Sequence, residues 1–336
     1  MIRLALFLLG GGILQAAAEP AFNWPRQETV PAEFPVLNGH TNTVPDIVGP
    51  INGPVDLVIF TEGNHFPVLL PLVYEEFPKW LRQQPDSDPA AAPPIITVVT
   101  LPQVLIVEAL RSGGIALGSA VVRIDPQDGL FPDVVMGGVA PLTKLHVAGI
   151  VEARARRFAR HRGLAILVAK GNPRRIRLLE DLGREDVRWI MATPKEAGAR
   201  RQYLNAFAKL LPKATAPEAL LQRERRDFQG RLGIQHRDVP FAIGSKLADA
   251  GVIFNHLARY YAEQFPDRFE VVEVEGAEKF PADIYATLTE KGSDDALAAQ
   301  FMEFLFEIAP RAYPKGGFAV LEEAKLGESV PLSPAK

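Results

Sequence analysis

The side chains best suited to holding a ligand lie in short polar loops that follow apolar runs. Gly63, Asn64 and His65 follow the run VDLVIF, and Gly137 and Gly138 follow a second apolar run. Small residues where a strand meets a helix expose backbone N–H groups, and the helix start adds partial positive charge. Several such junctions around one cleft would hold a small oxyanion. A plain helix cap at Asn64 and a tight turn at the glycine pair are the alternative interpretations.

A third loop has the same character. Thr193, Pro194 and Glu196 form the pattern of a capping box with proline at the first helical position. The capping box alone explains this pattern, so ligand contact through the following Ala197 and Gly198 is an equal alternative.

Glu62, His65 and His236 form a further candidate set, for a divalent metal, because carboxylate and imidazole suit Zn, Cu, Ni or Mn. The sequence contains no H-x-H, no H-E-x-x-H and no cysteine, so the spacing does not favour a metal site. It also contains no G-x-S-x-G, no S-x-x-K, no P-loop and no G-x-G-x-x-G after a strand. We therefore predict a protein that is not an enzyme and has no cofactor.

The apolar spacing predicts the elements that carry these loops. Strands alternate with helices from residue 55 onward, which predicts βαβ units with ligands beyond the carboxyl ends of the strands. A basic amphipathic helix is predicted over residues 147–161. The other predicted elements include strands at 95–100, 250–254 and 269–274 and helices at 66–81, 104–111, 201–211, 216–230 and 293–308.

Length and charge restrict the class of protein. The 336 residues suffice for two domains, and 37 basic against 40 acidic residues give a net charge of −3. This balance does not favour nucleic acid or an anionic membrane as partner. The absence of cysteine excludes disulfides and a lipid-modified cysteine.

The N-terminus has the pattern of a secretory signal. Arg3 precedes a short apolar core at residues 4–14 and an A-x-A site at residues 16–18. We therefore expect residues 1–18 to be a cleavable signal peptide and the protein to be periplasmic without a lipid anchor. A membrane anchor is the alternative, but a span needs about 20 apolar residues. Residues 19–54 are predicted as an extended lead-in.

One segment resembles a known family. Residues 163–200 contain an apolar run, the loop Lys170-Gly171-Asn172-Pro173, a turn with the letters LEDL, a second strand and a Thr-Pro loop. This order resembles the middle of periplasmic solute-binding proteins of the type II fold, especially the molybdate- and tungstate-binding family of ABC transporters. The letters DAGVIF at residues 249–254 and the residues 313–318 resemble two later motifs of that family.

The resemblance implies a two-lobed α/β fold, each lobe a mostly parallel sheet flanked by helices. Lobe 1 would comprise residues 55–166 and 255–320, lobe 2 residues 167–254, and the C-terminal tail residues 321–336. The chain would cross between the lobes near residues 167–173 and 249–255. It would be a monomer that binds a small oxyanion and delivers it to an inner-membrane ABC permease. An organic anion, a divalent metal and a sensor role without a transporter are the alternatives.

The resemblance also implies site residues, and some of them depart from the family pattern. Phe254 stands where the family usually has tyrosine, and the next residue, Asn255, would replace the lost donor. His236 falls near a position that contacts the ligand through its backbone. Glu62 stands where many members have a small neutral residue, and its carboxylate would repel molybdate. Residues 115–129 have no counterpart in the motif.

Overall fold

The computed structural model describes residues 36–37, 46–85, 87–88, 90–117, 120–127, 129–213, 215–225, 227–228, 231–232, 238–322 and 325–333. The predicted signal peptide, most of the lead-in and His236 lie outside the described residues. Within them, no helix is both long and apolar enough to cross a membrane.

The strands are short and alternate with helices in most of the chain. In chain order they are β1 (Val36–Leu37), β2 (Ile47–Val48), β3 (Leu57–Thr61), β4 (Ile96–Val99), β5 (Gly114–Leu117), β6 (Ala120–Arg123), β7 (Val134–Gly137), β8 (Arg154–Arg160), β9 (Leu164–Ala169), β10 (Trp189–Ile190), β11 (Asp227–Phe228), β12 (Arg231–Leu232), β13 (Ala250–Phe254), β14 (Phe269–Glu273), β15 (Asp283–Leu288) and β16 (Ser329–Pro331).

The helices cover the two main sheets. They are α1 (Phe66–Pro71), a π-helical turn (Leu72–Glu76), α2 (Phe77–Leu81), α3 (Gln103–Ser112), α4 (Val139–Val147), α5 (Ala197–Leu210), α6 (Pro217–Leu221), α7 (Val239–Gly244), α8 (Asn255–Gln264), α9 (Glu290–Ser293) and α10 (Ala296–Lys315). Short 3-10 helices span Gly63–His65, Leu179–Gly183, Pro194–Glu196 and Ala277–Lys279.

The first lobe is built on a sheet of eight strands in the order β1-β2-β4-β3-β7-β15-β8-β16. Strand β3 is buried along its whole length and pairs in parallel with β4 and β7, whereas β15 runs antiparallel to β7 and β8. The lead-in contributes β2 and the predicted tail contributes β16, so both extend this sheet. Two-residue and three-residue strands are too short for a periodic pattern, which is why the sequence did not predict them.

The second lobe is built on four strands in the order β10-β13-β9-β14. Strand β9 runs antiparallel to both neighbours, and β10 is parallel to β13. The predicted two-lobed α/β fold is confirmed, but both sheets are mixed rather than mostly parallel. The second sheet also extends over residues 164–273, beyond the predicted 167–254. The chain therefore passes between the sheets at residues 161–163 and 274–282.

The predicted basic helix over residues 147–161 is wrong. Helix α4 ends at Val147, Gly149 has a positive φ of 70°, and β8 begins at Arg154. In β8 the exposed Arg154 and Arg156 flank the buried Ala155, an alternation typical of a strand. The predicted helix at 216–230 is likewise limited to α6, which ends at Leu221.

The main apolar core is continuous from the first sheet to the second. It contains residues of β3 and β7, the inner face of α10 and every residue of β13 except Gly251. A second cluster lies on the other face of the first sheet, under α3 and α4. In the described part of the segment 115–129, β5 pairs antiparallel with β6 beside that second cluster.

Candidate functional site

Strand β3 delivers a buried acid to the side of the first lobe that faces the second. Glu62 directly follows Thr61, the last residue of β3, and is 7% exposed. Its Oε2 accepts a short hydrogen bond from Gln103 Nε2, and its Oε1 lies 3.3 Å from Nε2 of His161. A carboxylate at this depth needs such partners, because burial of an unpaired charge is costly.

The charge of Glu62 is stabilised by its neighbours. Burial alone would raise its pKa. The hydrogen bond with His161, the positive charge that His161 and His65 carry when protonated, and the hydrogen bond from Gln103 together lower the pKa to about 2. Glu62 is therefore ionised at neutral pH. In the described part of the chain, no Lys or Arg lies within ion-pair distance of this carboxylate.

Gln103, the first residue of α3, covers the glycine pair at the end of β7. The backbone N–H of Gly138 donates to Gln103 Oε1 at 3.3 Å. A Cβ on Gly137 would lie 3.1 Å from Cδ of Gln103, so glycine permits this close approach. One of the amides that the sequence assigned to an oxyanion thus already binds a side chain.

Two histidines, one after β8 and one in α8, complete this part of the site. The ring of His161, which follows β8, stacks on Phe254 with 4.1 Å between centroids. The Nδ1 atoms of His161 and His256 are 3.5 Å apart, and Nε2 of His256 lies 2.8 Å from the carbonyl oxygen of Asn64. These contacts connect the end of β3 to the passage at residues 161–163 and to the start of α8 in the second lobe.

Both ring nitrogens of His65 contact hydroxyl groups of the protein. Its Nε2 lies 2.6 Å from Oγ1 of Thr61, and its Nδ1 lies 2.7 Å from the hydroxyl of Tyr313. Because the Thr61 hydroxyl donates to the Glu62 carbonyl, Nε2 of His65 carries the proton and Nδ1 accepts from Tyr313. Burial, opposed by the charge of Glu62, lowers the pKa of His65 to about 4. The imidazole is therefore neutral at pH 7.

The second lobe contributes two buried hydroxyls. Thr193 Oγ1 and the hydroxyl of Tyr203 are both buried. Thr193 Oγ1 has no hydrogen-bond partner among the described atoms, and the Tyr203 hydroxyl interacts only with the backbone of Phe254. Thr193 precedes the 3-10 helix Pro194–Glu196, but its side chain makes no capping hydrogen bond, so the predicted capping box does not form. This 3-10 helix contacts α3, whose first residue is Gln103.

Tyr203 lies against the end of β13. Its ring packs edge-on against Phe254 with 5.2 Å between centroids. Burial first, and then the charges of Glu196 and Glu62, raise its pKa well above the usual value. Tyr203 is therefore a neutral hydroxyl at all pH values of interest. We call Glu62, Gln103, His161, Thr193 and Tyr203 the interlobe site.

The structure brings together some predicted residues and separates others. Phe254 and the glycine pair lie against the interlobe site through His161 and Gln103. Asn255 is directed elsewhere, because its Nδ2 donates to Glu273 at 2.7 Å and its Oδ1 accepts from Arg259 at 3.1 Å. Ala197 and Gly198 are exposed at the start of α5. Because the side-chain amide of Asn255 donates to Glu273, it is not available as the donor that would replace the tyrosine of the family pattern.

The metal alternative finds no support in the described residues. Glu62 and His65 are neighbours, but each has protein partners, and His236 lies outside the described residues. No group of three or more His, Cys, Asp or Glu side chains in the described part of the chain could hold a metal ion.

Sequence reasoning missed Gln103, His161, His256 and Tyr203. Two signals were present for the histidines. His161 stands at the carboxyl end of β8 once residues 154–160 are recognised as a strand, and His256 is two residues beyond β13. Gln103 and Tyr203 come from helices, and only the tertiary structure brings them to the strand ends.

Two surface grooves lie away from the interlobe site. One, of about 440 Å³, is lined by charged residues that include Arg188, Arg223 and Glu185. The other, of about 810 Å³, lies between α2 and the N-terminal part of α10 and includes Trp80 and Glu303. Neither contains a residue of the interlobe site.

Solved structures of solute-binding proteins have the same fold. The sulfate-binding protein SubI from Mycobacterium tuberculosis is 13% identical, with a TM-score of 0.56, over 83% of this chain and 93% of that one. A periplasmic thiamin-binding protein is 15% identical, with a TM-score of 0.53, over 86% and 87%. The periplasmic molybdate-binding protein of Azotobacter vinelandii is 15% identical, with a TM-score of 0.50, over 79% and 100%. No curated protein sequence matches the chain.

The sequence itself matches a family. The pattern described as bacterial extracellular solute-binding protein covers residues 105–318, which is more than half of the chain and spans both sheets. This family consists of binding proteins, which confirms the prediction that the chain is not an enzyme. The chain belongs to the bacterial extracellular solute-binding proteins.

Proposed function

We propose that this protein is the solute-binding component of an ABC uptake system and that it captures a small solute between its two lobes. The observation that carries the proposal is the interlobe site. The first lobe contributes the buried Glu62 and the half-buried Gln103, and the second contributes the buried Thr193 and Tyr203. Helix α3, which begins at Gln103, contacts the 3-10 helix that follows Thr193. A solute between them would bridge the lobes and favour their closure.

The setting of this function is the periplasm. The signal pattern at residues 1–18 and the family both support secretion, and the absence of cysteine supports a protein without a lipid anchor. An inner-membrane ABC permease is the partner that this role requires, and we expect the protein to act as a monomer.

The fold does not determine the charge of the solute. The similar structures are named for sulfate, molybdate and thiamin, so anions and a cation occur on one fold. The resemblance of the sequence favours a molybdate-like oxyanion. The interlobe site opposes one, because Glu62 is ionised and two like charges 4 Å apart repel by about 4 kcal/mol at an effective dielectric constant of 20. An organic anion meets the same repulsion.

The positive guanidinium of Arg200 could have favoured an anionic solute, but it already pairs with a carboxylate of the protein. Arg200 is buried, and its two terminal nitrogens donate to the carboxylate of Glu224 at 2.5 and 2.7 Å. It also donates to the carbonyl oxygen of Ala192. Arg200 thus stabilises the second lobe internally.

A thermal-shift screen tests the proposal. The purified protein is melted with a panel of oxyanions, carboxylates, organic cations and metal salts, and a true solute at about 100 times its Kd should add about 2.7 kcal/mol of stability. T193V should weaken that effect because it removes a buried hydroxyl of the interlobe site. T287V is the matched control, since Thr287 donates to the carbonyl of Arg154 inside the first sheet. Equal stabilisation of both variants by the solute would contradict the proposed site.

A further inference from the structure

The second lobe presents two buried hydroxyls that have no side-chain partner among the described residues. Thr193 and Tyr203 are 3% and 0% exposed. The Thr193 hydroxyl has no hydrogen-bond partner among the described atoms, and the Tyr203 hydroxyl interacts only with the backbone of Phe254. Buried polar side chains nearly always have a partner, so an exception calls for a cause. A hydroxyl at the start of a helix normally caps it, yet Thr193 does not cap the helix that follows.

The first lobe presents a negative charge with only neutral or titratable partners. Glu62 contacts the carboxamide of Gln103 and the imidazole of His161. A carboxylate has about four acceptor positions, so these two contacts leave capacity for further donors. The rings of Tyr203 and His161 both pack against Phe254, and His161 contacts Glu62, which places the carboxylate and this hydroxyl around one aromatic ring.

Three groups that could have bound an anion, namely Arg200, the amide of Gly138 and His65, have protein partners instead. Arg200 binds Glu224, and the amide of Gly138 donates to Gln103. His65 is neutral and held between Thr61 and Tyr313. Among the described residues, Glu62 is the one acid of the interlobe site, and no Lys or Arg pairs with it.

Given that the protein binds a solute between its lobes, as proposed above, we propose that this solute is a small organic cation that also carries a hydroxyl or carbonyl oxygen. Its positive nitrogen faces Glu62, and its oxygen pairs with the hydroxyls of Thr193 and Tyr203. Tyr203 thereby supplies, from helix α5, the hydroxyl that the sequence lacks at Phe254, against which its ring packs. Glu62 and Tyr203 are the residues that determine specificity.

The test is binding of named probes to the full protein and four variants. Thiamin, choline, ethanolamine and spermidine represent organic cations, and molybdate, sulfate and citrate represent anions. Thermal shift identifies the probes that bind, and calorimetry gives their Kd. We expect at least one hydroxyl-bearing cation to bind, with no shift from the anions.

E62Q and Y203F should each weaken binding of that cation at least tenfold. The controls are E307Q and Y74F, since Glu307 accepts from Trp80 and Tyr74 donates to backbone carbonyls near β2 and β4, both away from the interlobe site. Circular dichroism checks that each variant is folded, and T193V, which keeps the shape of the side chain, replaces any variant that is not. The control variants E307Q and Y74F should bind the cation with the same Kd as the wild type.

The outcomes separate this inference from the function on which it rests. Binding of an oxyanion or of citrate, weakened by T193V, would overturn the assignment of a cation and leave the solute-binding role intact. Cation binding that neither E62Q nor Y203F changes would also overturn the assignment. The absence of a shift with every probe would count against both.

Discussion

Lowering the pH from 7 to 4 should remove about 3 kcal/mol from the free energy of unfolding through one side chain, His65. This imidazole is fully buried and satisfies both ring nitrogens in its neutral form, with Thr61 and Tyr313. Its pKa falls from 6.5 to about 4 on folding. Between these two values the unfolded chain binds a proton that the folded protein does not bind.

The magnitude follows from this difference in protonation. Because folding lowers the pKa of His65, the contribution of this residue to the free energy of unfolding is complete above pH 6.5. That contribution is lost as the pH falls toward 4. The loss reaches about 1.4 kcal/mol per pH unit while only the unfolded chain is protonated, which integrates to about 3 kcal/mol. Below pH 4.5, protonation of Glu62, whose pKa is lowered to about 2, adds a further loss.

Urea unfolding at a series of pH values measures this effect. H65Q retains a polar side chain but does not titrate, so its stability should depend less on pH, by about 3 kcal/mol over the same range. H146Q is the matched control, because His146 is only partly buried and contacts a single carbonyl, that of Val151. Identical pH dependence of wild type and H65Q would refute the reasoning. So would an NMR titration of His65 with an ordinary pKa.

Two further predictions concern stability away from the interlobe site. R200A should lower the free energy of unfolding by about 3–5 kcal/mol because it leaves the carboxylate of Glu224 buried without its partner. R223A, which breaks the exposed pair with Glu185, should cost less than about 1 kcal/mol, and equal effects in urea unfolding would contradict the argument. L332A should cost about 2–5 kcal/mol because this residue is 0% exposed beside β16, whereas the 77% exposed Val320 should tolerate alanine without measurable loss in a thermal melt.

The elements with clear apolar periodicity were predictable. The helical spacing over residues 66–81 and 293–308 corresponds to α1, α2 and α10, whose apolar faces line the main core. The strand within the segment 147–161 could not be predicted, because its arginines fit a basic helix as well as they fit one exposed face of a strand. Only the pairing of β8 with β15 and β16 decides between the two. Tertiary contacts of this kind override local pattern.

The positions of the site loops could be predicted, but their chemistry could not. Glu62 and the glycine pair stand at strand ends as the sequence indicates, because strands of an α/β sheet carry their loops to one edge. What covers those loops depends on residues distant in the chain. Gln103 is 41 positions from Glu62, and Tyr203 reaches the site from the other lobe. A motif of three or four residues contains no information about such partners.

Hydrogen exchange of the backbone amides, measured with and without the probe that gives the largest thermal shift, tests the central claim most directly. If one solute binds between the lobes, exchange should slow together in residues 62–66 of the first lobe and residues 193–203 of the second. Slowing confined to one lobe would contradict the account. Slowing at the surface groove beside Trp80 and Glu303, without change at the interlobe site, would contradict it as well.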